Sequence, residues 1–213
     1  MPWPDNHKSR TRARIVAAAA AAVRSEGVDR VGVADVMARA GLTHGGFYAH
    51  FSSKEDLLTE ALEYASDRTL IGLAESLTSA PEGAKLHALV DAYLSPQHAA
   101  HPERGCPVAA LGPDVARAGG AMQRNFARKI RERLDWIRGL LPHGGRLKGG
   151  EEQAIGTLAC TVGGLIVARA VGPKESTRVL QACRGFLHRA LADGSGAASG
   201  EPGARQGPKL KAR

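Results

Sequence analysis

Cysteine is scarce in this chain of 213 residues: there are three, at positions 106, 160 and 183. Three scattered thiols exclude a disulfide framework. Alternating apolar and polar runs between turn signals are nearly absent, which excludes a sheet-built domain. No apolar run reaches the length of a bilayer span. The longest uncharged stretch, residues 154–168, is diluted by Thr157, Thr161 and glycines at 156, 163 and 164. The first residues (Met1, Pro2, Trp3, Pro4, Asp5) lack the charged-then-apolar order of a signal peptide. These absences predict a reduced, cytoplasmic protein without a membrane span.

What is present suits one compact helical unit with an appendage. The chain is 43% apolar and 23% charged, close to the average of folded domains and far from wholesale disorder. Its net charge of +8 draws it to polyanions, a nucleic acid or an acidic membrane face. The excess is central. Residues 1–60 hold 8 basic and 7 acidic side chains, whereas residues 117–148 hold 9 basic and 2 acidic. Within the first segment Lys8, Arg10, Arg12 and Arg14 face only Asp5, which reads as a basic arm leading into the first helix. The basic side of residues 117–138 reads either as a solvated face or as an anion pocket.

Helical spacing runs nearly throughout. Ile15, Ala18, Ala19, Ala22 and Val23 form one stripe ending at Gly27, and Val33, Val36, Met37 and Ala40 a second ending at Gly41. Ser53 with Asp56 resembles a capping box and opens a long helix to about Ala80. After a break at Pro81–Gly83 the pattern resumes with Leu86, Leu89, Val90, Tyr93 and Leu94. A loop holding Pro96, His98, His101, Pro102 and Gly105 follows. Pro107 restarts a helix to about Ala118, Met122 to Leu141 forms a long stripe, and two helices occupy about 151–171 and 173–192. The last 20 residues read as a disordered basic tail. No internal repeat is found.

Val33 to Phe51 pairs a short helix, a tight Gly41-Leu42-Thr43 turn and a second short helix, the layout of a helix-turn-helix. Thr43 is placed to cap the second helix, and Phe47 and Phe51 at i and i+4 to enter a three-helix core. In a major groove the N-terminal residues of the second helix would reach base edges. Tyr48, His50 and Lys54 would meet phosphates, helped by backbone donors of the helix opening at Ser53.

The stretch from Arg12 to Leu62, and above all GLTHGGFYAHFSSKEDLL, resembles the TetR family of bacterial transcriptional regulators. The resemblance implies an all-α fold of about nine helices. A three-helix DNA-binding domain with a helix-turn-helix is joined by a long fourth helix to a larger helical ligand-binding and dimerisation domain. It implies a homodimer through the last two long helices, double-stranded operator DNA and a small-molecule effector as partners, and repression as the default. Carried over by position, Thr43, His44, Gly45 and Gly46 read bases, and Tyr48, His50 and Lys54 contact phosphate. Gly32 stands where many relatives place a Ser or Thr cap, and Ala49 where an Arg or another large residue is often found. The domains expected are 1–52 for the basic arm and helix-turn-helix, 53–193 for regulation and dimerisation, and 194–213 for the tail.

Residues 98–118, HAAHPERGCPVAALGPDVARA, are similar to a subset of the same family in which a Gly-Cys-Pro segment opens the sixth helix. Cys106 then lies at that helix N-terminus, where the dipole favours thiolate, and has two readings: a sensor of electrophiles or oxidants, or a small packed residue. His98, His101, Glu103 and Cys106 are of zinc-binding type but their spacing builds no closed site, so no metal and no cofactor are expected. Cys160 and Cys183 lie on apolar stripes and read as core. Tyr93, Met122, Phe126 and Trp136 read as ordinary packing or as the lining of an effector cavity. Gly156, Ala159, Cys160, Gly163 and Gly164 allow close helix approach. With Val179, Leu180, Cys183, Phe186, Leu187 and Leu191 they predict a two-fold four-helix interface, hence a near-palindromic operator. An enzyme built on Cys106 and His101 lacks an orienting third residue, and a non-specific binder of nucleic acid or membrane is the remaining alternative.

Overall fold

A computed structural model describes residues 5–145 and 149–193. The tail at 194–213 lies outside the described residues, as do the first four. Among the described residues there are nine α-helices: α1 Asp5–Glu26, α2 Val33–Arg39, α3 Lys54–Ser76, α4 Lys85–Tyr93, α5 Pro96–Ala100, α6 Pro107–Ala118, α7 Gly120–Gly139, α8 Gly150–Ala170 and α9 Pro173–Asp193. Short 3-10 segments join them, and no strand occurs among the described residues.

The expected stripes become the core. Ile15, Ala19, Ala22, Val23, Val36, Met37, Phe47 and Phe51 are buried together with Leu57, Leu58, Ala61 and Leu62 of α3. Leu111, Val115 and Met122 join this cluster, so α6 and the start of α7 pack on the N-terminal helices. A second cluster gathers Leu73, Leu77, Leu89, Val90, Tyr93, Leu94, Ile137, Leu141, Leu158, Leu165, Leu180 and Leu187. α3 therefore serves both units, one with each half of its length.

Several local expectations are corrected. Lys8 to Arg14 are not an arm before the first helix but part of α1, which already begins at Asp5. Residues 7–24 contain no Gly or Pro and are rich in Ala, Lys and Arg, all strong helix formers. α3 ends at Ser76 rather than near Ala80: its last turn relaxes through an Ala80 N–H bond to the Leu77 carbonyl, because Pro81 disfavours helix at the residue before it. The loop at 96–105 contains a turn of helix, α5, because Ser95 Oγ accepts the His98 N–H at 3.1 Å and Pro96 occupies the first helical position. Gly119 and Gly120 break α6 from α7 with φ of +64° and +58°, a backbone that side chains rarely adopt.

α8 is an uninterrupted helix of 21 residues and, by length and composition alone, could cross a membrane, contrary to the reading of this stretch as too short. In the fold one face of it is buried, and apolar side chains lie on the exposed face as well. Ala154, Thr157, Leu158, Thr161, Gly164, Leu165 and Ala168 are buried, while Ile155, Ile166 and Val167 are exposed. The small-residue stripe divides accordingly: a Cβ at Gly164 would lie 2.9 Å from Cys183 Sγ, so this glycine lets α9 approach, whereas Gly156 and Gly163 face open space.

Candidate nucleic-acid interface and regulatory core

The segment after the Gly41 turn is a short element with several exposed side chains. Gly41 takes φ +69° and closes the turn after α2, whose N-cap is Gly32. His44–Ala49 then forms a 3-10 helix rather than an α-helix. Two consecutive glycines weaken helix propagation, and the chain settles for the tighter i to i+3 bonds, from Gly46 N–H to the Thr43 carbonyl and from His50 N–H to the Phe47 carbonyl. Thr43 sits at the N-cap position, but its side chain makes no capping bond. Its hydroxyl is thereby left on the surface with His44 and Gly45, which are also exposed.

This segment is held from below. Phe47 and Phe51 are buried and stack with ring centroids 5.6 Å apart. Arg12 of α1 lies 4.1 Å above the Phe51 ring, pairs with Glu60 of α3 at 2.5 Å, and donates to the His50 carbonyl. One guanidinium thus ties three elements together, and Arg14 similarly donates to the Ala40 carbonyl at the end of α2. Ser53 caps α3 by accepting the Asp56 N–H at 3.0 Å, while the Asp56 carboxylate accepts from the N–H and hydroxyl of Ser52. The box is closed one residue earlier than expected.

Of the expected phosphate contacts, Tyr48 is 72% exposed and projects freely. Lys54 is half-buried and donates to the Val28 carbonyl at 3.3 Å. His50 is also half-buried, with its Nδ1 enclosed and without a hydrogen-bond partner among the described residues. Burial, reinforced by the positive charges of Lys8, Arg12 and His7, lowers its pKa. Those influences place the basic start of α1 beside His50, and Lys8 and Arg10 are exposed there.

The residues expected to bind an effector separate into two places. Tyr93 and Trp136 line one small cavity with Leu73, Leu89, Arg133 and Thr157, with room for about a single water. Met122 and Phe126 belong instead to the N-terminal cluster, so the five candidates do not share one pocket. Cys106 is wholly enclosed; its Sγ lies 3.3 Å from Nη1 of Arg133, and its N–H donates to His98 Nε2 at 3.0 Å. His98 Nδ1 in turn faces the Tyr93 carbonyl at 2.7 Å, which fixes the neutral ring with its proton on Nδ1. Burial pushes the His98 pKa down to about 4, opposed by the Tyr93 carbonyl and assisted by Arg169 and Arg133. Burial beside the Cys106 thiol likewise raises that of Tyr93, whose hydroxyl makes no hydrogen bond of normal geometry. His101 bonds to Glu103 at the surface, and no group of three or more metal-ligating side chains gathers among the described residues.

Sequence reasoning missed Arg133, which is 5% exposed, and the half-buried Arg169 that donates to the His98 and Ala99 carbonyls. The signal for Arg133 was available. It falls three residues after Ile130 and four before Ile137, on the apolar stripe of α7.

Comparison with known proteins fits this geometry. Residues 15–61 match the family described as bacterial regulatory proteins, tetR family. An uncharacterized HTH-type transcriptional regulator of Mycobacterium tuberculosis is 29% identical over 128 residues, covering 53% of this chain; the match spans 64% of that relative's length. A TetR transcriptional regulator from Chloroflexus aurantiacus superposes with a TM-score of 0.76 at 25% identity, covering 88% of this chain and 96% of the other. A TetR-family regulator from Cytophaga hutchinsonii reaches 0.71 at 18% identity, covering 89% and 98%, a likeness of fold alone.

Proposed function

We propose that this chain, whose residues 15–61 match the tetR family of bacterial regulatory proteins, is a sequence-specific DNA-binding transcriptional regulator, a repressor that binds a near-palindromic operator as a homodimer. The observation that carries this reading is the exposed Thr43, His44, Gly45 and Tyr48 surface. It is mounted on the buried Phe47 and Phe51 pair and flanked by the basic start of α1. A short 3-10 segment with two glycines brings its backbone close to base edges. Tyr48 supplies a phosphate contact, with His50, Lys54 and the α3 N-terminus alongside. The DNA-reading unit is 1–52 and the regulatory unit 53–193.

Dimerisation through α8 and α9 is supported by the apolar side chains they leave in water, Ile155, Val167 and Phe186. The operator half-sites then lie about one helical turn of DNA or a multiple apart. The function needs no catalytic group: a small-molecule effector that favours one arrangement of the two units changes operator affinity. A thiol-reactive effector acting at Cys106 would have to reach an enclosed sulfur, so the packed reading of Cys106 is the better supported of the two. If Cys106 is a sensor, Cys106→Ser abolishes release by thiol reagents while leaving unliganded DNA binding intact.

The deciding experiment compares the purified protein on its own upstream DNA and on scrambled DNA of equal length in about 0.15 M salt, where phosphate-only contacts are weakened. Retention on the native fragment alone is expected. Equal, salt-sensitive retention on both would replace this reading with that of a non-specific polyanion binder.

A further inference from the structure

An open cleft of about 820 Å³ lies where the C-terminal end of α1 meets α5, α6 and the junction of α8 with α9. Its size falls in the range that holds a drug-sized molecule. Most of its wall is apolar, with Pro96, Ala99, Ala109, Ile166, Val171 and Pro173 among the lining residues. Two of its lining residues are charged, Arg24 from α1 and Arg169 from α8, and no acid lines it.

Both guanidiniums are held in place by carbonyls rather than carboxylates. Arg24 donates to the Ala20 carbonyl at 2.8 Å and the Gly105 carbonyl at 3.0 Å. Arg169 donates to the Ala99 carbonyl at 3.2 Å and the His98 carbonyl at 2.8 Å. Gly105 makes this possible: a Cβ there would sit 2.5 Å from Nη2 of Arg169, so only a residue without a side chain lets the guanidinium pass. The nearby acid, Glu103, is half-buried and engaged by His101 at 3.2 Å and Arg104 at 3.8 Å. Burial lowers the pKa of both arginines, opposed by the weaker influences of Cys106 and Glu103. An arginine does not escape such a position by losing its proton, so two cations stay at the wall of a cleft that no acid lines.

We propose that this cleft binds an organic anion, a carboxylate or sulfonate on an apolar body, with Arg24 and Arg169 as its charge partners and the Ala, Pro and Ile side chains as its bed. The fixed guanidiniums cost little ordering on binding, and the planar fork matches a two-oxygen headgroup. The two arginines come from different units, α1 of the helix-turn-helix and α8 of the regulatory helices. An occupant therefore bridges the contact that Arg24 makes with Gly105, and the site lies outside the small cavity at Tyr93 and Trp136.

The test reads binding directly and does not depend on the operator. Anilinonaphthalene sulfonate, an apolar anion, is titrated by fluorescence against the full chain, beside the neutral N-phenylnaphthylamine of nearly the same shape. Arg169→Gln removes one charge partner; Ser176→Glu, at the cleft wall, adds a competing carboxylate and leaves both arginines intact. Each variant is expected to weaken the sulfonate by about ten-fold and the neutral amine by less than about two-fold. If Arg169→Gln unfolds by circular dichroism, Ser176→Glu decides alone. Sulfonate affinity unchanged in the folded variants, equal weakening of both probes, or no sulfonate binding by the wild type would each overturn the proposal.

Discussion

Acidification is expected to loosen the junction of α5 and α6 through one ring, His98. Its Nδ1–H is committed to the Tyr93 carbonyl and its Nε2 accepts the Cys106 N–H, so protonating Nε2 breaks the second bond and places a cation beside Arg133 and Arg169 with no facing carboxylate. The folded pKa, about 4, lies below the ordinary 6.5. Between those values the unfolded chain binds the proton and the folded one does not. The stabilisation is therefore complete above pH 6.5 and is lost as the pH falls toward 4. Linkage over this window puts the loss from pH 7 at about 2 kcal/mol by pH 5 and about 3 kcal/mol by pH 4. Urea unfolding from pH 7 to 4 measures it for the wild type and for His98→Gln, which keeps a donor and an acceptor but does not titrate. Carboxylates such as Glu103 and Glu132 contribute their own acid loss to both proteins, so the difference in slope isolates His98. Parallel pH profiles, or a His98 ring that titrates near 6.5 by NMR, would refute the reasoning.

Three further outcomes follow from the packing and the surface. Phe47→Ala removes a fully buried ring stacked on Phe51 and should cost about 3 to 5 kcal/mol in denaturant unfolding. Tyr48→Ala, at a side chain 72% exposed, should leave that stability unchanged while weakening operator binding about ten-fold in a gel-shift assay, the worth of one hydrogen bond to a phosphate. Phe186→Glu places a charge on the exposed face of α9 and should shift sedimentation from dimer to monomer; an unchanged dimer would move the interface away from this face.

The DNA-reading half was readable because its signals are local. Gly41, Phe47, Phe51 and Ser53 each act within a few residues of themselves, and the structure uses each as spacing suggested. Where local signals competed, the outcome differed: two glycines turned an expected α-helix into a 3-10 segment, and Ser95 with Pro96 drew a turn of helix out of an expected loop. The regulatory half was less readable because its groups meet across long separations. Arg24 and Gly105 are 81 residues apart, and Arg169 and His98 are 71. Periodicity identifies which face of a helix is buried, not which helix covers it, so Met122 and Phe126 could not be separated from Tyr93 and Trp136 beforehand.

By itself, then, the sequence determined most of the helices, the turn between α2 and the 3-10 segment, and the match of residues 15–61 to the tetR family, since all three rest on short-range propensity, capping and a contiguous motif. Only the tertiary structure decided how the charges are partnered. That Arg133 is enclosed, that Arg12 ties α1 to Glu60 and the His50 carbonyl, and that Arg24 and Arg169 converge on one cleft are matters of distance between chain-remote atoms. Electrostatic compensation depends on those distances and on burial, and neither is written along the chain.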